Sequence, residues 1–173
     1  MKINICKATL KHAPALRRLT ANMGRNLEAH YFEECLVRQA AGERDFYIGQ
    51  QEGSEEIAGY VMLVREPRYQ PFRRMNIPEI QDLSVSPDLR QQGIGSQLVT
   101  FCEDIVQKEG FSMIGLAVGL HARFAPAQRL YLNRGYLPDG NGAIYDCQPM
   151  GFAEMKPLDD NFVWKMIREF PAT

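Results

Sequence analysis

The stretch "EIQDLSVSPDLRQQGIGSQLVTFCEDI", residues 79–105, decides how this chain is read. Its first residues make a strand that ends near Pro87. From Gly95 to Glu109 the apolar residues Leu98, Phe101, Cys102, Ile105 and Val106 fall on one helical face. Between the two lies "RQQGIG". The first turn of a helix leaves backbone N–H groups without intrahelical acceptors, and the aligned peptide dipoles put partial positive charge there, so anions bind at such ends. Glycine at positions 93 and 95 removes Cβ atoms that would hold a phosphate off the backbone, and permits the positive φ that turns successive N–H groups toward one point. Arg90 adds a full charge. A structural tight turn explains G-x-G at a helix start equally well. No G-K-[ST] follows as in a Walker loop, and the third glycine of a dinucleotide fingerprint is missing.

Working outward, 173 residues suit one well-cored domain, so a single domain over residues 1–173 is expected. Twenty basic side chains against twenty-one acidic ones leave a formal charge of -1. That balance offers no general attraction for nucleic acid or an acidic membrane, and any anion site must be local. Cys6, Cys35, Cys102 and Cys147 are widely spread with no C-x-x-C pair, which suggests neither a zinc site nor a disulfide framework; no metal is expected. "MKINICKATL" alternates instead of presenting a secretory apolar core, and no run reaches membrane-spanning length, so a cytoplasmic location is expected.

Along the chain, Ile3 and Ile5 alternate as in a strand. Leu16, Leu19 and Met23 mark a helix over residues 12–24, and Phe32, Cys35, Leu36, Gln39 and Ala40 a second one. "DFYIGQQEGSEEIAGYVMLVRE" predicts a hairpin turning at Gly53-Ser54. Residues 66–78 carry prolines and arginines and predict a surface excursion without regular structure. The run "SMIGLAVGL" predicts a strand covered on both faces, residues 125–133 a short helix stopped near Gly135, and residues 161–167 the last strand. The order is strand, two helices, three strands, helix, strand, helix, strand, which argues for a layered α/β domain with a mixed sheet.

With "DLSVSP", "RQQGIG" and "AQRLYLNRGY" in this order and spacing, residues 79–136 resemble the GNAT superfamily of acetyl-CoA-dependent N-acetyltransferases. "RQQGIG" fits that family's [QR]-x-x-G-x-[GA] pyrophosphate loop, and "AQRLYLNRGY" its A-x-x-[LF]-Y-x-x-x-G-[FY] segment. The resemblance implies an α/β (α+β) fold with one central mixed, mostly antiparallel sheet flanked by helices, and acetyl-CoA as cosubstrate. It also implies a strand that bulges before the loop, so that backbone groups of Leu83 and Val85 receive the pantetheine arm like an added strand, Asp82 and Ser84 facing the other way. Ser84 is counted with them among the coenzyme-binding residues. Arg90, Gln91, Gln92, Gly93, Ile94, Gly95 and Ser96 take the pyrophosphate, mainly through amides.

Acetyl transfer to an amine needs the free base, and deprotonating a primary amine of pKa about 10.4 at neutral pH costs roughly 4.6 kcal/mol. Glu79 matches the catalytic glutamate of histone-acetylating members and is the candidate base, directly or through water, with Asp82 and Glu66 as substitutes; a strand-edge charge is the alternative reading. Tyr131 matches the tyrosine that protonates the departing thiolate. One departure stands out. Many members carry asparagine where this chain has Phe124.

The expected reaction is transfer of the acetyl group to a primary amine of a small molecule, by direct attack in a ternary complex. A protein or peptide acceptor and a non-catalytic acetyl-CoA sensor are the alternatives. Glu28, His30, Tyr31, Tyr69, Phe72, Tyr145 and several arginines fall in the segments that build the family's acceptor pocket, without choosing an acceptor. No nucleic acid or membrane partner is expected, while apolar Phe162, Trp164 and Met166 leave room for a homodimer.

Overall fold

The computed structural model describes residues 1–54 and 56–171; Glu55, in the hairpin stretch, and residues 172–173 lie outside the described residues. In chain order the elements are β1 (Ile3–Lys7), α1 (Ala13–Asn22), α2 (Tyr31–Ala40), β2 (Asp45–Gln51), β3 (Ile57–Val64), α3 (Gln70–Arg74) and β4 (Glu79–Val85). They continue with α4 (Ile94–Lys108), β5 (Met113–Gly119), α5 (Ala125–Asn133), β6 (Leu137–Tyr145), β7 (Gln148–Pro149) and β8 (Phe162–Glu169). Strands β1–β2, β2–β3, β5–β8, β6–β8 and β6–β7 pair antiparallel, whereas β4 and β5 run parallel. The fold is therefore mixed α/β with a mostly antiparallel sheet flanked by helices, as the sequence resemblance implied. No helix among the described residues is long and apolar enough to cross a membrane.

The described chain divides into two compact units, the first comprising Met1–Val64 and Gln81–Asp104. Its strand order is β1-β2-β3-β4. Every position of β3, "IAGYVMLV", is buried, so this strand is covered on both faces and reads as an unbroken apolar run. Phe32 of α2 stacks on Phe46 at 6.0 Å and meets the edge of Tyr60 at 5.7 Å, in a core shared with Leu16, Leu19 and Met62. From α4, Phe101 packs edge-on to Tyr47 at 4.9 Å. Leu98 of the same helix lies 3.3 Å from where a Cβ on Gly59 would stand.

The second unit comprises Arg65–Ile80 and Ile105–Thr173, with strand order β4-β5-β8-β6-β7. Tyr69, Phe72, Ile77, Ile144 and Val163 form its buried cluster. The segment 66–78, expected as an irregular surface excursion, contains α3 and buries Tyr69, Phe72 and Ile77 completely or nearly so. Its aromatic side chains outweigh the loop-forming prolines, one of which, Pro71, sits in the first turn of α3 where no N–H is needed. Strands β6 and β7 were not expected from sequence. "LPDGNGAIY" holds proline and glycines where β-branched residues would be, and its pairing with β8 is interrupted between Pro138 and Ala143. Of the three apolar residues that left room for a homodimer, Met166 is buried at 1% exposure while Trp164 is 37% exposed.

Gly59 sets how closely β3 and β4 approach. A Cβ there would sit 2.6 Å from the Ser84 carbonyl oxygen and 3.3 Å from the Val85 Cα, both backbone atoms that cannot step aside. Gly59→Ala is expected to destabilise the protein by about 1–3 kcal/mol, as overpacking does. A urea titration checks it, and an unchanged midpoint would contradict this close contact.

Candidate active site

Within the first unit, β4 leaves regular strand geometry at Asp82, whose φ is +49°. A left-handed residue costs about 1–2 kcal/mol, least for aspartate and asparagine. The surroundings offset this cost. Arg25, just after α1, donates from Nη1 to Asp82 Oδ1 at 2.6 Å, to the Tyr60 hydroxyl at 2.7 Å and to Ser84 Oγ at 3.0 Å. Tyr31 and Tyr60 donate their hydroxyls to Asp82 Oδ2 at 2.8 and 3.2 Å. Hydrogen bonds to a charged group contribute about 1.5–3 kcal/mol each, so three on this carboxylate exceed the backbone cost. Burial, followed by the Asp82 charge, pushes both tyrosine hydroxyls well above their ordinary pKa, so they remain donors. Burial works against the Arg25 charge, but Asp82, Tyr60 and Tyr31 together leave its pKa raised. Asp82 and Ser84 thus present their side chains to the same guanidinium.

The loop that follows is brought up to this strand by its arginine, for Arg90 Nε donates to the Val85 carbonyl at a long 3.4 Å. Left-handed backbone occurs at Gln91, φ +60°, and Gly93, φ +80°. Sequence reasoning assigned that role to Gly93 and Gly95. Gly95 is instead the second residue of α4 and helical, so the second left-handed position is Gln91, two residues before Gly93. Residues 90–93 are exposed, no atom lies within 4 Å of the place a Cβ on Gly93 would take, and a bulky anion therefore has room to reach the backbone. Ile94 is buried at 1% exposure, which leaves its backbone as the part able to meet a ligand, while Gly95 and Ser96 are half-buried. Gln97 anchors the helix start, accepting from Ile3 N at 3.3 Å and donating to the Met1 carbonyl at 2.8 Å.

In the second unit, Glu79 is buried at 1% exposure and accepts a hydrogen bond from Lys165 Nζ on Oε1 at 2.5 Å. Lys165 itself is 4% exposed, and its ammonium lies 5.0 Å from the Tyr69 ring centroid and 5.8 Å from that of Phe72. The Phe72 ring in turn rests over Gly115, where a Cβ would come within 2.3 Å of it. Glu79 is therefore one half of an aromatic-covered ion pair and not a solvated edge charge. Sequence reasoning missed Lys165, although a charged residue between Val163 and Ile167 on an otherwise apolar strand was the available signal.

Tyr131 lies in α5, 5% exposed, with its ring edge-on to Tyr136 at 5.8 Å. Its carbonyl accepts from the N–H groups of Arg134 and Tyr136, closing the helix, with Gly135 left-handed at φ +83°. Gln128 ties α5 to β5 by donating to the Gly119 carbonyl at 2.7 Å. Phe124, the departure noted from the sequence, stands at the N-cap of α5 and packs on Gly119, where a Cβ would stand 2.2 Å from its ring. Arg123 covers that ring at 4.7 Å and ion-pairs with Asp160, while His121 Nδ1 accepts from the Arg123 amide at 3.1 Å. Of the acceptor-pocket candidates, Tyr69 and Phe72 are fully covered, and Tyr69 donates its hydroxyl to Asp139 at 2.7 Å. Tyr145 donates to Asp159 at 3.0 Å. Among the described residues, no group of histidine, cysteine and carboxylate side chains is arranged to hold a metal ion.

Removing one member of the buried pair leaves the other charge uncompensated. Lys165→Met is expected to lower stability by about 3–5 kcal/mol, and Glu79→Gln combined with Lys165→Met to recover much of that loss. Thermal melts of the two proteins side by side decide this; equal stabilities for the single and double variants would mean the charges are not coupled.

The family model described as "Acetyltransferase (GNAT) family" matches residues 14–136. An aminoalkylphosphonate N-acetyltransferase of Salmonella typhimurium is 40% identical over 60 residues, which are 35% of this chain and 38% of that protein's length. Among solved structures, a ribosomal-protein-alanine N-acetyltransferase from Brucella melitensis superposes with a TM-score of 0.70 at 15% identity, covering 96% of this chain and 99% of that one. PaiA N-acetyltransferase from Thermoplasma acidophilum, solved in complex with coenzyme A, gives 0.63 at 16% identity over 98% of this chain and 100% of its own. At such identities the structural likeness speaks for the fold, and the family match speaks for descent. The chain belongs to the acetyltransferase (GNAT) family.

Proposed function

We propose that this protein transfers the acetyl group of acetyl-CoA to a primary amine of a small molecule, by direct attack within a ternary complex. The observation that carries the reading is the left-handed backbone of Asp82 within β4, followed by an exposed loop with left-handed backbone at Gln91 and Gly93, ahead of the 15-residue α4. In this reading the backbone of Leu83, Ser84 and Val85 meets the amide-bearing arm of the coenzyme. The amides of residues 90–96, with the Arg90 charge and the N-terminal dipole of α4, hold its pyrophosphate. The room around Gly93 suits that group. The 60-residue similarity to an enzyme named for aminoalkylphosphonates supports a small amine over a protein acceptor.

The amine nitrogen attacks the acetyl carbonyl carbon, the C–N bond forms and the C–S bond breaks. Glu79 takes the proton lost by the amine; with 1% of its surface exposed, a route through water suits it better than direct contact. Tyr131 gives its hydroxyl proton to the departing sulfur. The second reading, a sensor that binds acetyl-CoA without turnover, predicts coenzyme binding with no thiol release.

A free-thiol assay across a panel of small amines, including aminoalkylphosphonates, is the test. Turnover is expected with at least one of them, and Tyr131→Phe and Glu79→Gln should each lower kcat by about a hundredfold, the usual scale for losing an acid or base. Wild-type kcat in both variants would remove these two roles.

A further inference from the structure

The polar cluster around Asp82 is more elaborate than a strand needs. Residues from four places in the sequence converge on it: Arg25 after α1, Tyr31 at the start of α2, Tyr60 in β3, and Asp82 with Ser84 in β4. A single nitrogen, Arg25 Nη1, serves three acceptors, and both carboxylate oxygens of Asp82 are occupied. The Asp82 side chain is 15% exposed and that of Arg25 32%, so this is a half-sheltered knot and not a solvated ion pair. It holds the one residue of β4 with positive φ.

We infer that Arg25 and Asp82 form a positioning clamp that fixes the left-handed kink of β4 at Asp82, and so sets the backbone of Leu83 and Val85 for the coenzyme. The inference rests on the proposed reading that this backbone receives acetyl-CoA. Left to itself, a residue at position 82 relaxes toward extended φ. A relaxed strand turns its N–H and C=O groups through the pleat and away from an incoming amide chain. Arg25 prevents this by tying the Asp82 carboxylate to Ser84, two residues on along the same strand, and to Tyr60 on β3. Tyr31 fills the second carboxylate oxygen from α2. Neither Arg25 nor Asp82 needs to touch the reacting atoms.

Titration calorimetry with coenzyme A, and acetyl-CoA kinetics at a saturating amine, test the clamp. Arg25→Met and Asp82→Ala are expected to weaken coenzyme A binding about tenfold or more and to raise KM for acetyl-CoA by a similar factor, with the smaller effect on kcat at saturation. Asp82→Asn, which tolerates left-handed backbone and keeps an acceptor oxygen, should recover part of the affinity. Arg17→Met, which breaks the exposed pair of Arg17 with Glu33, serves as the charge control and should bind as wild type does. A purely structural role would instead lower the active fraction, leaving KM unchanged; that outcome overturns the clamp, as does wild-type affinity in both Arg25→Met and Asp82→Ala. Should either variant melt below the assay temperature, Tyr60→Phe, which removes a hydroxyl and no charge, replaces it, and the same comparison decides. Wild-type protein that takes up no coenzyme A defeats the proposed function, and the clamp falls with it; binding retained by wild type and variants alike defeats the clamp only.

Discussion

A non-glycine residue in left-handed backbone at the middle of a strand is the constraint around which this protein is arranged. Asp82 interrupts β4 with a φ of +49°, and such a conformation persists only where its neighbours over-determine it. Here they do so with charge. Arg25 and two tyrosine hydroxyls place three donors on a single carboxylate, against a backbone cost of only about 1–2 kcal/mol. Beside this kink, Gly59 lets β3 come within contact of the Ser84 carbonyl, and the fully buried β3 supplies a rigid support. The distortion is thus local, held from both the helical layer and the neighbouring strand of the same unit.

The second unit applies a different device to its own charged residues. Glu79 and Lys165 are both nearly inaccessible, and the ammonium lies within reach of two aromatic faces. Ion pairs of this kind add little net stability compared with an apolar replacement, because desolvation cancels most of the attraction. Their retention is easier to understand if one partner has chemical work, and Glu79 is the carboxylate proposed to take a proton. Covering its partner Lys165 with Tyr69 and Phe72 requires Gly115 beneath, since any side chain there would collide with the Phe72 ring. The same economy of space appears at Gly119, where the Phe124 ring occupies the room a Cβ would take.

Much of the architecture was legible in the chain. Periodicity places α1, α2, α4 and α5 within a residue or two of their observed limits, because each has one apolar face and a clear stop. Strands β2, β3 and β5 are equally plain, being dense in apolar residues. Strands β6 and β7 are not, since Pro138, Gly140 and Gly142 carry no strand preference and their pairing comes from β8 and a turn with left-handed Asp146 and Cys147. The segment 66–78 misled for the opposite reason. Its composition is that of a loop, yet Tyr69 and Phe72 found a core to enter.

For the candidate site, short-range order alone determined the loop "RQQGIG", its place between a strand and a helix, and the family to which the chain belongs, since these depend on residues adjacent in sequence. Only the tertiary structure decided that Glu79 meets Lys165, separated by 86 positions, and that Arg25 meets Asp82, separated by 57. No local pattern encodes such pairs. They arise when the fold brings distant charged groups together out of bulk water, fully at Glu79 and Lys165 and partly at Arg25 and Asp82, so that each pair must satisfy itself.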